Sequence, residues 1–219
     1  MFCVETMNKS HKIAIIDYRM SNMFSIQNAL EVLGYESEVT SDHSRILEAD
    51  GAILPGVGSF PEAMKHINEL GLKKTIIDFI ATGKPFMGIC LGFHLLFDSS
   101  EEIKNTAGLG VLQGKVKLFS SDAQKIRVPH VGWNNITKYP AKNIHSHSPL
   151  SQVDDQEFFY FVHSYCVEPD DESTICTTTE YFGIEFCSSI ESKNIFACQF
   201  HPEKSGEQGL KVLKGMFNR

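Results

Sequence analysis

Short apolar runs alternate with amphipathic segments through the first half of the chain. The runs at 13–17 (IAIID), 51–56 (GAILPG) and 85–90 (PFMGIC) are typical of strands buried on both faces of a parallel sheet. Between them, segments such as SIQNALEVLGY and PEAMKHINEL repeat apolar residues at helical spacing. This order predicts a β-α-β-α arrangement with helices on both faces of a parallel sheet.

From about residue 111 the pattern becomes strand-like and often alternates between apolar and polar positions. The strand-like segments are VLQGKVKLF, KIRVPHVGWN, EFFYFVHSYCV, STICTTT, FGIEFCSSIE and NIFACQF. Only the tail, GEQGLKVLKGMF, has the spacing of a helix. We therefore predict a single α/β domain whose mostly parallel central sheet is flanked by helices and gains further antiparallel strands late in the chain.

The composition of the 219-residue chain is ordinary for a globular protein of one domain. A net charge of −7 argues against nucleic acid as a partner, and no apolar run reaches the roughly 18 residues that cross a membrane. The N-terminal stretch MFCVETMNKSHK lacks the apolar core of a secretory signal. We expect residues 1–11 to be an N-terminal extension, residues 12–219 to form the domain, and the protein to be cytoplasmic.

The six cysteines show no C-x-x-C spacing, so the sequence predicts reduced thiols and no metal site. One of them stands out, because PFMGICLGFHLLF places Cys90 between Gly88 and Gly92 where a strand meets a helix. Such an elbow exposes the turn residue in a crevice, and the helix beginning at Leu91 offers free amides that favour a thiolate. A buried structural cysteine is the commoner outcome, so this motif alone leaves both interpretations open.

A base for the thiol is available in ACQFHPEKSG near the end of the chain. A strand runs into His201, Pro202 and Glu203, where His201 could take the proton of Cys90 and Glu203 could orient the imidazole. Each residue alone is more typical of an exposed loop. The elbow cysteine in the same domain makes the catalytic interpretation the better one.

A second glycine-containing turn, LPGVGSF at 54–60, also follows a predicted parallel strand. Gly56 and Gly58 allow the backbone to approach a ligand closely, although the segment lacks the patterns of phosphate-binding loops. We expect it to form the second wall of the thiol site and to supply an amide to an oxyanion. An ordinary strand-to-helix turn is the alternative.

Together these segments resemble the class I, or triad, glutamine amidotransferases, and within them the glutaminase subunits of imidazole glycerol phosphate synthase. The resemblance runs from about Lys12 to the C-terminus, on the motifs IDYRMSN, LPGVGSF, GKPFMGICLGFHLLF, GLGVLQGKV, VPHVGWN, YFVHSY and QFHPEKSG. It implies a flavodoxin-like α/β fold and hydrolysis of L-glutamine to glutamate and ammonia, without a cofactor. It also implies a heterodimer with a (β/α)8-barrel cyclase that receives the ammonia for histidine biosynthesis.

The resemblance also implies roles for individual residues. Cys90 corresponds to the nucleophile, His201 to the general base and acid, and Glu203 to the group that orients the imidazole. The amides of Leu91 and of the Val57–Gly58 turn correspond to an oxyanion hole. If the peptide at Val57 is flipped, the lone subunit is expected to be nearly inactive until a liganded partner binds.

Further positions correspond to the substrate pocket and to the face that meets the partner. The pocket residues are Gly56, His94, Ser164 and Tyr165, and the partner-facing residues are Asn22, Trp133, Tyr160 and Lys204. Trp133 lies in HVGWNN, which has the composition of a polar turn.

The chain departs from the family pattern at Arg19 and Ser21, where the family has glycines, and at His94. The family has at this last position a glutamine that contacts the substrate, and histidine keeps hydrogen-bonding capacity with a different reach and charge. Three alternatives stay open. They are the same chemistry feeding a paralogous cyclase that amidinates a surface sugar, a cysteine hydrolase or peptidase of the same broad fold, and a non-enzymatic binding module.

Overall fold

The computed structural model describes residues 11–20, 23–119, 127–140 and 144–218. Residues 1–10 of the expected N-terminal extension lie outside these ranges, so the extension stays a prediction.

The N-terminal half alternates strands and helices, as its apolar pattern predicted. Its elements are β1 (Lys12–Ile16), α1 (Met23–Val32), β2 (Glu36–Thr40), α2 (His43–Glu48), β3 (Gly51–Leu54), α3 (Phe60–Glu69), α4 (Leu72–Ala81), β4 (Phe86–Ile89) and α5 (Leu91–Leu95). The short helix α2 was not predicted. Its N-cap is Asp42, whose side chain accepts a hydrogen bond from the Arg45 N–H at 3.0 Å and so replaces a partner that the helix itself cannot supply.

The C-terminal half is dominated by strands and ends in a helix. Its elements are β5 (Phe97–Ser100), β6 (Thr106–Ala107), β7 (Leu112–Leu118), β8 (His130–Asn135), β9 (Thr137–Lys138), β10 (Phe158–His163), β11 (Tyr165–Pro169), the 3₁₀ turn η1 (Glu172–Thr174), β12 (Ile175–Tyr181), β13 (Ile184–Ser192), β14 (Ile195–Cys198), the 3₁₀ turn η2 (Pro202–Lys204) and α6 (Gly206–Phe217).

The predicted mixed sheet is confirmed. Its main path runs β2-β1-β3-β4-β14-β13-β11-β7-β5-β6, with β12 paired to β13 and β9, while β8 and β10 form a separate antiparallel ribbon. The pairs from β2 to β14 are parallel, and β14 is antiparallel to β13. Because β4 and β14 are parallel neighbours with Ile89 opposite Cys198, the segments that follow them leave the sheet at the same edge.

Two apolar layers cover the two faces of the sheet. Alternate residues of β1 divide between them, since Ile13 and Ile15 pack in one layer while Ala14 and Ile16 pack in the other. The first layer includes residues of α1 and α6, and the second includes residues of α2 to α5. The chain therefore forms the three-layer arrangement of an α/β domain, as predicted.

Two local predictions were wrong. The helix expected over LGFHLLF ends at Leu95, and Phe97 already begins β5. Residues 95–97 are all fully buried, and a short run of this kind fits either element because its periodicity is uninformative. The turn interpretation of HVGWNN was also wrong, because this segment is a strand of the antiparallel ribbon, as the strand-like pattern of KIRVPHVGWN predicted, with Trp133 opposite Tyr160.

Candidate active site

The strand-to-helix elbow is present, and Cys90 lies at its bend. Cys90 has φ 53° and ψ −108°, a backbone conformation that residues other than glycine rarely adopt. Such conformations often mark functional sites. Its N–H donates to the Cys198 carbonyl at 2.8 Å, which ties the elbow to the neighbouring strand β14. The backbone of this residue is therefore held in a strained conformation by its surroundings.

Gly92 explains how helix α5 can follow so tight a bend. A Cβ at this position would lie 1.8 Å from the Leu54 carbonyl oxygen, so only glycine lets α5 rest on the end of β3. A Cβ at Gly88 would meet atoms at 3.1 Å or more, which is tight but not prohibitive. The glycine after Cys90 is the more strictly required of the two.

His201 and Glu203 leave the sheet at the edge where Cys90 lies. The His201 N–H donates to the Tyr160 carbonyl at 2.9 Å, and its own carbonyl accepts from the Ser205 hydroxyl at 2.6 Å. Nδ1 of His201 lies 2.8 Å from Oε1 of Glu203, and both side chains are almost completely buried. The carboxylate therefore fixes the ring with a hydrogen on Nδ1 and leaves Nε2 to face other groups.

The electrostatics connect His201 to Cys90. Burial, the largest single influence, would lower the pKa of His201, but the charge and side-chain hydrogen bond of Cys90, together with Glu203, outweigh it and raise this pKa to about 10. Nε2 is buried and makes no hydrogen bond of ordinary geometry to a described residue. Catalytic hydrogen bonds are often long or poorly aligned until substrate binds.

A cavity of about 320 Å³ opens beside Cys90. Its lining residues are Val57, Gly58, Cys90, Leu91, His94, Glu102, Pro129, Val162, His163, Ser164 and Tyr165. Seven of the residues singled out in the sequence are among them. Gly56, His201, Glu203 and Lys204 line a much smaller adjoining space together with Ile26, Pro55, Val57 and Ile89.

Four lining residues were not predicted for this site, namely Glu102, Pro129, Val162 and His163. The Glu102 Oε2 atom accepts from the Phe60 N–H at 2.9 Å, which holds the carboxylate at the start of α3. No sequence signal marked Glu102, because it follows the unpredicted strand β5. Glu102 therefore supplies a carboxylate to the lining of the cavity beside Cys90.

His163, the last residue of β10, makes hydrogen bonds through both ring nitrogens. Its Nδ1 lies 2.8 Å from the Tyr165 carbonyl, and its Nε2 lies 2.9 Å from Nδ1 of His130. Burial lowers the pKa of His130 to about 4 and that of His163 to about 3, so both rings are neutral at pH 7. This pair supports the wall formed by Ser164 and Tyr165.

A larger cavity of about 760 Å³ lies elsewhere, between the end of α4 and the β13–β14 turn. Among the described residues that line it, Lys193 is the one charged residue, and none is a cysteine, a histidine or an acid. The smaller cavity is the better candidate for a reaction site because it contains Cys90 and a carboxylate.

Two of the amides expected in an oxyanion hole, those of Leu91 and Val57, donate to backbone carbonyls in this structure. The Leu91 N–H donates to the Gly56 carbonyl at 3.3 Å, and the Val57 N–H donates to the Met20 carbonyl at 3.1 Å. The Gly56 carbonyl and the Val57 N–H belong to one peptide group. Rotating that peptide would release Leu91 and turn the Val57 N–H toward the position that the carbonyl leaves.

Three of the four residues expected to face a partner form one exposed patch, and Asn22 lies outside the described residues. Trp133 is 56% exposed and meets the Tyr160 ring edge-on, with ring centroids 6.2 Å apart. The Lys204 ammonium lies 5.9 Å from the centre of the Tyr160 ring. The Tyr160 ring is also 6.5 Å from that of His201, so the patch adjoins the acid–base pair.

The described part of the chain contains no cluster of His, Cys, Asp or Glu side chains suited to a metal ion. Among its helices, none combines the length and apolar character that a membrane span requires.

Comparisons with known proteins identify the family of the chain. A model of the class-I glutamine amidotransferase family matches residues 14–218. The chain is 47% identical over 202 residues to the imidazole glycerol phosphate synthase subunit HisH of Moorella thermoacetica, covering 92% of each chain. It is 45% identical over 204 residues to the protein of the same name from Aquifex aeolicus, covering 93% of this chain and 94% of that one. In fold it is similar to the structure of PurLQS from Thermotoga maritima, with a TM-score of 0.71 at 21% identity, covering 96% of this chain and 99% of the matched one.

Proposed function

Since the chain belongs to the class-I glutamine amidotransferase family, we propose a mechanism in which Cys90, His201 and Glu203 release ammonia from glutamine. Its relatives identify it as the glutaminase subunit of imidazole glycerol phosphate synthase, an enzyme of histidine biosynthesis. The observation that carries the residue assignment is the buried His201–Glu203 pair, 2.8 Å apart, whose imidazole responds to the charge of Cys90.

The first half of the reaction forms a thioester. The Cys90 thiolate attacks the side-chain amide carbon of glutamine, and the carbonyl electrons move onto its oxygen. When the tetrahedral intermediate collapses, Nε2 of His201 gives its proton to the leaving nitrogen, which departs as ammonia. The glutamyl group remains bonded to the sulfur.

The second half restores the enzyme. Nε2 of His201, now neutral, takes a proton from water, and the resulting hydroxide attacks the thioester carbon. The carbon–sulfur bond breaks, glutamate leaves, and Cys90 and His201 return to the thiolate–imidazolium pair. Glu203 holds the ring so that the same nitrogen serves both steps.

The oxyanion requires donors that are not free in the present arrangement. We assign them to the N–H groups of Leu91 and Val57, which become available together when the Gly56–Val57 peptide rotates. Removing one such donor costs about 3 to 4 kcal/mol of transition-state stabilisation in other enzymes. A subunit with this peptide unrotated is therefore a poor glutaminase.

The cavity supports glutamine as the substrate. Its volume of about 320 Å³ lies in the range of small-molecule sites, and Cys90 lies in its wall. The Glu102 carboxylate is suited to the α-ammonium group of an amino acid. Ser164, Tyr165 and His94 complete the polar lining.

The partner in this proposal is a (β/α)8-barrel cyclase that docks on the patch of Trp133, Tyr160 and Lys204. The patch lies next to His201 and Glu203, so ammonia released there can pass into the partner without entering bulk water. The complex is a heterodimer, and no cofactor is needed. We place it in the cytoplasm because the mechanism requires Cys90 as a free thiol, and Cys90 is unpaired here.

Glutamate release by the full chain tests the proposal, with and without a candidate cyclase barrel carrying its ligand. We expect weak release alone, strong release in the complex, and none from Cys90→Ala in either case. The product formed in the complex separates this function from the alternative. An imidazole product made with an imidazole-forming cyclase supports histidine biosynthesis, whereas the alternative requires a paralogous cyclase that amidinates a surface sugar. Peptide cleavage without glutamate release would overturn the proposal.

A further inference from the structure

Cys90 is contacted by a second polar chain besides His201. Nε2 of His94 lies 2.6 Å from Oε1 of Gln199, and Nε2 of Gln199 lies 3.8 Å from the Cys90 sulfur. Gln199 is completely buried and His94 is 5% exposed. The two side chains thus form a buried link between helix α5 and the residue that follows β14, and this link ends on the thiol.

The donor and acceptor atoms of the Gln199 amide indicate where the hydrogens of this link lie. An amide oxygen only accepts and an amide NH₂ only donates, so His94 donates through Nε2 to the Gln199 oxygen. Burial lowers the pKa of His94 to about 4, and the hydrogen bond that His94 donates to Gln199 opposes this only in part, so the ring is neutral at pH 7. With the Gln199 amide turned over, its NH₂ would donate to a His94 ring that carries its hydrogen on Nδ1, and its oxygen would face the sulfur. That oxygen could accept from a thiol S–H but would repel a thiolate, so the arrangement with NH₂ toward Cys90 is the one that fits the charged nucleophile.

The backbone fixes the three side chains relative to each other. The Cys90 N–H donates to the Cys198 carbonyl at 2.8 Å, and the adjacent Gln199 N–H donates to the Ser188 carbonyl at 2.9 Å. The His94 N–H donates to the Cys90 carbonyl at 3.2 Å. The amide donor is therefore in place before any substrate binds, which is the condition for electrostatic preorganisation.

We propose that His94 is a positioning residue for the nucleophile, because it orients the Gln199 amide so that its NH₂ donates to the Cys90 sulfur and stabilises the thiolate. This rests on the proposed role of Cys90 as nucleophile. It differs from the substrate contact made by the family's glutamine at this position, since a substrate contact has no effect on the thiol of the free enzyme. The two roles therefore separate in the absence of glutamine.

The test is the rate at which iodoacetamide alkylates Cys90 in the full-length free chain, followed peptide by peptide from about pH 5 to about pH 9. We expect His94→Leu and Gln199→Met each to move the half-maximal pH upward by about one unit, or about tenfold in thiolate fraction at low pH, as for one hydrogen bond to a charged group. His94→Gln keeps an amide donor that can orient Gln199, so its half-maximal pH should stay close to that of the wild-type chain. Phe93→Leu, a buried change in the same helix, should leave the half-maximal pH unchanged.

The double variant of His94→Leu with Gln199→Met distinguishes a relay from two separate effects. If His94 acts through Gln199, the double variant shifts the half-maximal pH no further than either single variant. Full additivity, no shift in His94→Leu, or an equal shift in Phe93→Leu would overturn the proposal. Because the assay contains no glutamine, it can succeed even if the chain releases no glutamate, and that result would count against the proposed function alone.

Discussion

Adding the partner should activate the glutaminase by allowing one peptide group, between Gly56 and Val57, to rotate. In the present arrangement the Gly56–Val57 peptide makes two hydrogen bonds, accepting from Leu91 at 3.3 Å and donating to the Met20 carbonyl at 3.1 Å. Both must break before Leu91 and Val57 can hold an oxyanion. A partner that favours the rotated peptide therefore raises the rate without contacting the substrate.

The size of the effect follows from those two bonds. Each backbone hydrogen bond contributes about 0.5 to 1.5 kcal/mol net, so rotation costs roughly 1 to 3 kcal/mol in the lone chain. At these costs the rotated form makes up about 15% to about 0.6% of molecules. Binding a liganded partner that fully populates it should raise glutaminase kcat by roughly six- to 160-fold from this step.

The assay is glutamate release at saturating glutamine, measured for the lone chain, for the complex and for the complex with cyclase ligand. Cys90→Ala in the same complex is the control for contaminating glutaminase. The reasoning is refuted if the lone chain turns over glutamine as fast as the liganded complex.

Three further predictions concern the triad, the partner face and the elbow. Glu203→Gln removes a carboxylate that raises the pKa of His201, so the imidazolium is lost at lower pH. The alkaline limb of the kcat/KM profile should therefore move down by about one pH unit. An alkaline limb that does not move would contradict the orienting role of Glu203. Trp133→Ala should weaken cyclase binding by about 2 kcal/mol, measured calorimetrically, and leave the slow glutamate release of the lone chain unchanged; unchanged affinity would place the interface elsewhere. Gly92→Ala puts a Cβ 1.8 Å from a backbone carbonyl oxygen and should cost about 3 kcal/mol of unfolding free energy, or roughly 6 to 12 °C in Tm. Gly88→Ala, whose Cβ has contacts no closer than 3.1 Å, should lower the Tm less. Equal Tm values for the two variants would refute the steric argument.

The elbow could be predicted from sequence because its cause is local. A buried strand, two glycines and a following helix are adjacent in the chain, and the structure assigns Cys90 to the bend between them. The boundary between α5 and β5 could not be predicted, since the run that crosses it is buried on every side.

The pairing of distant residues was only partly predictable. The sequence predicted a strand before Cys90 and another before His201, and the structure shows that these strands, β4 and β14, are parallel neighbours, which brings the two residues to one edge of the sheet. The contact of His94 with Gln199 spans 105 positions, and neither residue type signals it. The Val57 amide was predicted from the glycine turn and the Leu91 amide from the helix that follows Cys90, but only coordinates reveal that both donate to carbonyls.

Covalent labelling tests the central claim, that the Cys90 thiolate attacks glutamine with His201 beside it. The chain is incubated with a diazoketone analogue of glutamine, and its cysteine peptides are analysed by mass spectrometry. We predict modification of Cys90 and of no other cysteine, suppressed by excess glutamine and slowed strongly in His201→Ala. Labelling that spares Cys90, or that proceeds equally fast without the imidazole, would contradict the account.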